Sequence, residues 1–198
     1  MATTTLRELN GFDQTPAKLA DATLILVDFQ NTYTRGTLEL TGWREALDNA
    51  ADLLARARAA GAKIVHVMHD GGEGSAYDVR AEIGRIHEKV APVEGEPVVV
   101  KGAPDSFVGT DLGEHVDAAG NTDVVVVGFM THMCVTFTSQ GAFLRGNRPT
   151  VVADACATRP LPHGAREGEV PAEQVHQSAL GTIADVYGVV VPSADALG

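Results

Sequence analysis

Short runs of consecutive apolar residues alternate along the chain with longer segments whose apolar residues recur at helical spacing. Runs that are apolar throughout are typical of strands buried on both faces of a parallel sheet, since a strand with one solvated face alternates apolar and polar residues. The clearest run is the four consecutive valines at 124–127. Six strands are predicted, at residues 23–27, 63–68, 98–100, 123–127, 150–153 and 186–191.

Helices are predicted between these strands. The segment from Trp43 to Ala60 has its larger apolar side chains at helical spacing, and Gly61 follows it where a left-handed residue commonly ends a helix. Thr131 is in position to be the N-cap of a helix that continues to about residue 144. Further helices are predicted at residues 79–90, 110–119 and 172–184.

This alternation of helices with fully apolar strands predicts an α/β fold. We expect a Rossmann-like, three-layer α-β-α arrangement in which about six mostly parallel strands are joined by right-handed crossovers. In such sheets the functional site lies at the carboxyl ends of the strands, near the point where the strand order reverses. The residues that follow the strands are therefore the first candidates for chemistry.

Composition and charge narrow the class of protein. Of the 198 residues 44% are hydrophobic and 21% charged, which is ordinary for a globular protein, and one domain is expected over residues 21–198 after a lightly structured arm at 1–20 that contains Pro16. The net charge of −11 argues against nucleic acid or an anionic membrane surface as a partner. With two cysteines, no apolar run near ~20 residues and no signal-peptide core, a cytoplasmic protein is expected.

Three reactive side chains lie at predicted strand ends: Asp28 after the first strand, Lys101 after the third, and Cys134 shortly after the fourth. A thiol in the first turn of a helix is expected to have a lowered pKa, because unpaired backbone N–H groups and the helix dipole favour the thiolate. The carboxylate would take the thiol proton, the cation would favour the thiolate, and the N–H groups would receive an oxyanion. Taken singly, each residue also has an ordinary structural interpretation.

Other polar residues have less support. Cys156, after the fifth predicted strand, is interpreted as packing, and His132 as a loop histidine because no carboxylate is placed to orient it. No Gly-x-Gly-x-x-Gly follows the first strand and no Cys-x-x-Cys is present, which argues against dinucleotide binding and thiol redox chemistry. A non-catalytic α/β binding module stays open as an alternative.

The strand-end residues and their neighbours resemble a known family, the isochorismatase-like cysteine hydrolase superfamily. That family includes nicotinamidases, N-carbamoyl amidohydrolases and streptothricin hydrolase-like enzymes, and the resemblance spans residues 21–192. It is carried by Asp28-Phe-Gln, Lys101 with Ser106-Phe107, Gly128-x-x-Thr131-x-x-Cys134-Val135, Asp154-Ala155 and the helix of His176.

The resemblance implies a six-stranded parallel sheet and a catalytic triad of Asp28, Lys101 and Cys134. It also implies a cis peptide bond between Phe129 and Met130, an oxyanion hole formed by the backbone N–H groups of Met130 and Cys134, and a homo-oligomer. Tyr33, His69, Phe107 and Thr131 are the candidate substrate-binding residues, with Met130 and Trp43 as further wall candidates, although Trp43 also suits a helix core.

Departures from the family pattern refine the expected chemistry. Nicotinamidases bind a metal through Asp-x-His after the second strand, where this chain has Asp70-Gly71-Gly72, so no metal and no cofactor are expected. Isochorismatases proper typically lack the cysteine, so Cys134 favours covalent acyl chemistry. We expect a hydrolase that cleaves an amide, carbamoyl or lactam C–N bond of a small molecule through a thioester. Isochorismatase-type ether hydrolysis is the alternative.

Overall fold

The predicted α/β fold is confirmed by the computed structural model, which describes residues 3–198. A central sheet is flanked by helices, and a separate small hairpin lies before the last helix. The strands are β1 (Ala22–Val27), β2 (Lys63–His69), β3 (Val98–Lys101), β4 (Asp123–Phe129), β5 (Arg148–Ala157), the hairpin strands β6 (Leu161–Pro162) and β7 (Glu169–Val170), and β8 (Val189–Val191). The α-helices are α1 (Leu6–Leu9), α2 (Trp43–Ala60), α3 (Leu112–Ala119), α4 (Thr136–Leu144) and α5 (Ala172–Thr182).

The central sheet has the strand order β3-β2-β1-β4-β5-β8, and its neighbouring strands are parallel throughout. The chain moves outward from β1 to β3 and then returns to place β4 on the other side of β1. The strand order therefore reverses between β1 and β4, and their carboxyl ends form the crevice in which sheets of this kind bind ligands.

Burial explains why these runs form inner strands. All six residues of β1 are buried, and the valines at 124–127 in β4 are fully buried, so both strands are covered on both faces. Helix α2 covers one face with a buried stripe and ends at Gly61, whose φ of 72° is left-handed and whose N–H donates to carbonyls of the last turn.

The N-terminal segment is held against the domain. Thr5 and Glu8 form a capping box on α1, and the buried Arg7 donates to the carbonyls of Asp13 and Val186. Ala17 N donates to the hydroxyl of Thr150 in β5. This segment therefore has more fixed contacts than the lightly structured arm that the sequence predicts.

The helix predicted at residues 79–90 is wrong. Two short 3₁₀ turns, Glu82–Gly84 and Glu88–Val90, stand there instead. Buried side chains outside the segment occupy its carbonyls: Thr32 donates to the carbonyl of Ile83, and Gln30 to that of Gly84. A carbonyl bonded in this way is satisfied without an α-helical partner.

Two strand boundaries also differ from prediction. β5 continues past the predicted end at residue 153 to Ala157, because after an irregularity near Gly128 its residues pair again with the end of β4, so Cys156 lies within a strand. β8 begins at Val189, since α5 is prolonged by a π-helical turn, Ile183–Tyr187. The strand predicted over 186–191 is thus shorter.

Candidate active site

The crevice between β1 and β4 is shaped by two unusual backbone positions. Asp28 follows β1 with φ of 54°, a left-handed conformation that aspartate tolerates better than most residues, and its N–H donates to Val67 O at 2.9 Å. Across from it, Gly128 has φ of 144°, and a Cβ there would lie 2.0 Å from Val27 O. Only glycine therefore allows β4 to approach β1 this closely at the site.

Lys101, at the end of β3, joins the other two candidates. Its ammonium lies 2.8 Å from Asp28 Oδ2 and donates to Cys134 Sγ at 3.2 Å, and the side chains of Asp28 and Lys101 have no exposed surface. The contact between Lys101 and Asp28 Oδ2 is a buried ion pair, and the other carboxylate oxygen, Oδ1, has no hydrogen-bond partner among residues 3–198. A buried carboxylate with free lone pairs beside a thiol is well placed to accept a proton.

Burial controls the protonation of this cluster. It raises the pKa of Asp28 above its usual range, despite the opposing charge of Lys101, and so makes the carboxylate a stronger base than an exposed one. For Lys101 burial acts to lower the pKa, but the interactions with Asp28, and with Cys134 when its thiol is ionised, outweigh burial and raise the pKa. Because the ammonium lies 2.8 Å from Asp28 Oδ2, we assign a lysine cation paired with an aspartate carboxylate.

The expectation that Cys134 has a lowered pKa is wrong. Burial first, and then the charge of Asp28, raises the pKa of the thiol to about 12, with Lys101 opposing only in part. Cys134 lies in a π-helical turn, Thr131–Val135, that precedes α4, and its side chain is buried. The resting side chain is therefore a neutral thiol, which needs a base before it can attack.

The loop between β4 and this turn has the backbone geometry that the resemblance implies. The Phe129–Met130 peptide bond is cis. Met130 O accepts from the N–H groups of Met133 and Val135, which fixes the start of the turn. Thr131 does not act as a helix N-cap as predicted, because the π-helical turn begins at Thr131 rather than after it. Its buried hydroxyl is instead hydrogen-bonded to His176 Nδ1 on α5 at 2.9 Å.

Comparison with known proteins identifies the group to which this site belongs. The sequence model of the Isochorismatase domain matches residues 22–195. The chain belongs to the isochorismatase family. The crystal structure of an isochorismatase from Pseudomonas putida KT2440 superposes with a TM-score of 0.94 at 40% identity, covering 98% of this chain and 99% of that one.

Two curated relatives within the isochorismatase family differ in their descriptions. The secreted isochorismatase effector Isc1 of Verticillium dahliae is 35% identical over 96% of this chain and 97% of its own length. Maleamate amidohydrolase of Pseudomonas putida is 30% identical over 94% of this chain and 87% of its own length. Hydrolases of amides are therefore among this chain's relatives.

Two of the predicted substrate-binding residues lie beside the cluster. His69 Nδ1 is 3.4 Å from Lys101 Nζ. Tyr33 is almost fully buried in an aromatic group with Phe129, and its pKa is raised by burial and then by the charge of nearby Asp28. His69 therefore lies next to Lys101, and Tyr33 lies near Asp28.

The other predicted wall residues have structural contacts. The guanidinium of Arg145 lies 5.2 Å from the ring centre of the half-buried Phe107. Trp43, at the start of α2, packs partly against the core and donates its indole N–H to Glu39, in agreement with the alternative interpretation as a helix residue. The hydroxyl of Thr131 is engaged by His176.

Gln30 belongs to the Asp28-Phe-Gln motif, but the sequence predicts no role for it. Its fully buried amide donates to the carbonyls of His69 and Gly84 and accepts from His69 N at 2.8 Å. The amide therefore joins the end of β2 to the loop at Gly84. The motif itself was the only available signal, because a buried glutamine has no periodicity by which to find it.

Two further hydrogen bonds brace the loops of the site. Ser106 and Thr138 share a hydrogen bond of 2.7 Å between their buried hydroxyls, which ties the loop after β3 to α4. His132, interpreted as a loop histidine, bonds through Nδ1 to the hydroxyl of Thr158. Both contacts join segments distant in sequence, so spacing alone did not indicate them.

Access to the sulfur of Cys134 is narrow, because this residue is only 6% exposed. A separate cavity of about 520 Å³ lies between the starts of α2 and α5 and the end of β5, and Asp28, Lys101 and Cys134 do not line it. His176 is in its wall, and the hydrogen bond from His176 to Thr131 connects this cavity with the turn that carries Cys134.

Within the described residues no three His, Cys, Asp or Glu side chains converge as a metal site. Asp70, at the position compared with the nicotinamidase metal motif, accepts from Gly72 N and pairs with Arg80. A mechanism without a metal stays a prediction. None of the helices in the part of the chain described is long and apolar enough to cross a lipid bilayer.

Proposed function

We propose that this protein is a cysteine hydrolase that cleaves a C–N bond (amide, carbamoyl or lactam) of a small molecule through a thioester. The observation that carries the proposal is the position of the Lys101 ammonium, 3.2 Å from Cys134 Sγ and 2.8 Å from Asp28 Oδ2 in a buried crevice. Together these three residues supply a base (Asp28), a cation (Lys101) and a nucleophile (Cys134). The relationship to maleamate amidohydrolase supports the choice of amide chemistry.

In the acylation step Asp28 takes the proton from the Cys134 thiol as the sulfur attacks the substrate carbonyl carbon. The new S–C bond forms while the C=O π pair moves onto oxygen. The tetrahedral intermediate then collapses: the C–N bond breaks, the protonated Asp28 gives its proton to the departing nitrogen, and the acyl group remains on sulfur. Lys101 stabilises both the carboxylate and the developing thiolate throughout.

Deacylation uses the same groups in reverse. Asp28 takes a proton from water, the hydroxide oxygen attacks the thioester carbon, and the C–S bond breaks to release the acid. The proton on Asp28 then returns to the sulfur, which restores the neutral thiol that burial favours in the resting site.

The backbone N–H groups of Met130 and Cys134 are proposed as the donors to the oxyanion. Met130 joins the end of β4 to the π-helical turn and Cys134 lies within that turn, so both N–H groups belong to the short buried segment that carries the nucleophile. Losing one such donor typically costs about 10²–10³-fold in kcat. Tyr33, His69, Phe107 and Thr131 are proposed to line the substrate site.

The experiment is a panel of primary amides, N-carbamoyl compounds and lactams assayed for release of ammonia or amine, followed by mass spectrometry of the stopped reaction. For a substrate found in this way, Cys134→Ala should lower turnover by several orders of magnitude. Cys156→Ala, which removes the only other cysteine, should leave turnover near the wild-type level. An acyl adduct on the Cys134 peptide is expected.

Turnover that survives in Cys134→Ala near the wild-type rate would exclude the covalent mechanism. Hydrolysis of a vinyl ether by both the wild type and Cys134→Ala, with no acyl adduct, would instead favour the ether-hydrolase alternative. Folding of each variant is checked by circular dichroism, so that a loss of activity is not mistaken for a loss of structure.

A further inference from the structure

The ammonium of Lys101 has three acceptors in the protein. A lysine ammonium has three N–H bonds and no lone pair, so a fully buried one needs partners for each. Asp28 Oδ2 lies at 2.8 Å, Cys134 Sγ at 3.2 Å and His69 Nδ1 at 3.4 Å. Asp28 and Cys134 have roles in the proposed mechanism, whereas His69 has so far been proposed only as a substrate contact.

The position of His69 is determined independently of Lys101. Parallel pairing of β2 with β3 sets the two residues side by side. The Gln30 amide bonds to both the N–H and the C=O of His69, at 2.8 and 2.9 Å, and so fixes its backbone. The ring packs edge-to-face against Tyr77 with centres 4.9 Å apart. These contacts hold the His69 imidazole in place beside the ammonium.

The chemistry of the contact fixes the state of the ring. An ammonium can only donate, so Nδ1 must carry the lone pair and the proton must be on Nε2. Burial first, and then the charge of Lys101, lowers the pKa of His69, while Asp28 and Asp70 oppose this, so the ring is neutral as the contact requires. A protonated ring would place two cations against each other.

We propose that His69 is a positioning residue for the catalytic lysine: it holds the third N–H bond of the Lys101 ammonium and thereby keeps that ammonium between Asp28 and Cys134. The inference rests on the proposed function, in which Lys101 organises the base and the nucleophile. With all three N–H bonds directed at protein atoms, Lys101 has none left for a substrate. His69 then acts on the reaction through Lys101, a role separate from its proposed place in the wall of the substrate site.

The test compares His69→Leu with His69→Asn. Asparagine can place its side-chain oxygen near the position of Nδ1 and so keeps an acceptor for Lys101, whereas leucine has similar bulk and no acceptor. Both remove the imidazole, so any change in access to the sulfur is shared. The first readout is the rate of Cys134 alkylation by iodoacetamide from pH 7 to 9.5, followed by peptide mass spectrometry, which needs no substrate.

Because Lys101 lowers the pKa of the Cys134 thiol, releasing the ammonium should move the alkylation profile to higher pH. For His69→Leu we expect alkylation to slow by roughly tenfold at a given pH, which corresponds to the loss of one hydrogen bond to a charged group. His69→Asn should lie close to the wild type. Once a substrate is known, His69→Leu should lower kcat with little change in KM.

Equal alkylation profiles in His69→Leu and His69→Asn would overturn the proposal. A rise in KM with unchanged kcat and alkylation would show instead that His69 is only a substrate contact. The proposed function fails separately, through persistent hydrolysis in Cys134→Ala, and that result leaves the alkylation comparison intact as a measure of the His69–Lys101 contact.

Discussion

Replacing Asp28 by asparagine should have opposite effects on two reactions of the same sulfur. Asparagine keeps the shape of the side chain but removes its charge and its ability to take a proton. Hydrolysis should fall by about 10²–10⁴-fold, the usual contribution of a general base. Alkylation of Cys134 by iodoacetamide, which needs only the thiolate, should become faster.

The magnitude follows from the pKa of the Cys134 thiol. With a value of about 12, roughly 10⁻⁴ of the sulfur is thiolate at pH 8, against roughly 10⁻¹ for a thiol at its ordinary value near 9. The ceiling is therefore a gain of about 10³ in thiolate. Burial is the larger cause and remains in the variant, whereas the second cause, the charge of Asp28, is removed.

We expect at least about a tenfold gain in alkylation rate at pH 8 in Asp28→Asn, equivalent to one pKa unit of the thiol. The Lys101 ammonium should add to this gain in alkylation rate. A buried cation that has lost its carboxylate partner favours the thiolate form of Cys134, whose sulfur lies 3.2 Å away.

The assay measures alkylation rates from pH 7 to 9.5 in a Cys156→Ala background, so that a single thiol reports. Wild-type rates should rise about tenfold per pH unit over this range without a plateau, as for any thiol titrating well above it. A wild-type plateau below pH 9, together with no acceleration in Asp28→Asn, would show that a thiolate–lysine pair already exists at rest. The neutral-thiol assignment, and with it the need for Asp28 as base, would then be wrong.

Two stability predictions follow from other parts of the fold. Hydrogen bonds from Arg58 lower the pKa of Glu96 to about 2 from 4.5, so the stabilisation of the fold by Glu96 is present above pH 4.5 and is lost as pH falls toward 2. Glu96→Gln should therefore lower the free energy of unfolding by at most about 3 kcal/mol at pH 7, and by less where solvent screens the pair. Urea titrations should show the difference from wild type vanishing near pH 2. A difference that persists at pH 2 would contradict this linkage. Gly128→Ala should lower the free energy of unfolding by about 3 kcal/mol or more, because it forces a methyl group against Val27 O. Gly181→Ala is the control: this glycine lies in α5 with open space around it, and the change should raise the free energy of unfolding by up to about 1 kcal/mol. Equal thermal midpoints for the two variants would refute the argument that β4 and β1 approach too closely for a side chain at position 128.

Much of the architecture follows from local sequence. Runs such as 124–127 are apolar at every position, and a parallel sheet covered on both faces is the arrangement that buries such runs completely. Once six such runs alternate with helices, the carboxyl ends of the strands gather at one edge. Asp28, Lys101 and Cys134 could therefore be placed together before any coordinates, because each follows a strand.

Elements whose backbone partners are distant in sequence escaped prediction. The segment at 79–90 forms turns because Thr32 and Gln30 bond to its carbonyls, and those partners lie some fifty residues away. The last residues of β5 are paired with β4 only after the irregularity near Gly128, so the polar Asp154 suggested a strand end that does not exist. Local propensity does not contain these interactions.

The protonation of the site was also decided by tertiary structure. The position of Cys134 near a helix start suggested a thiolate, but the effect of a helix terminus is about 0.3–2 kcal/mol, whereas a thiol pKa raised from 9.0 to about 12 corresponds to roughly 4 kcal/mol. Burial is the dominant cause of that shift, and burial depends on everything packed around the sulfur. The contact between His69 and Lys101 likewise exists because β2 and β3 pair in one register. The sequence alone determined which reactive groups meet, since strand ends converge in any sheet of this kind. Only packing decided which of those groups carry charge, because desolvation depends on the depth at which the completed fold places them.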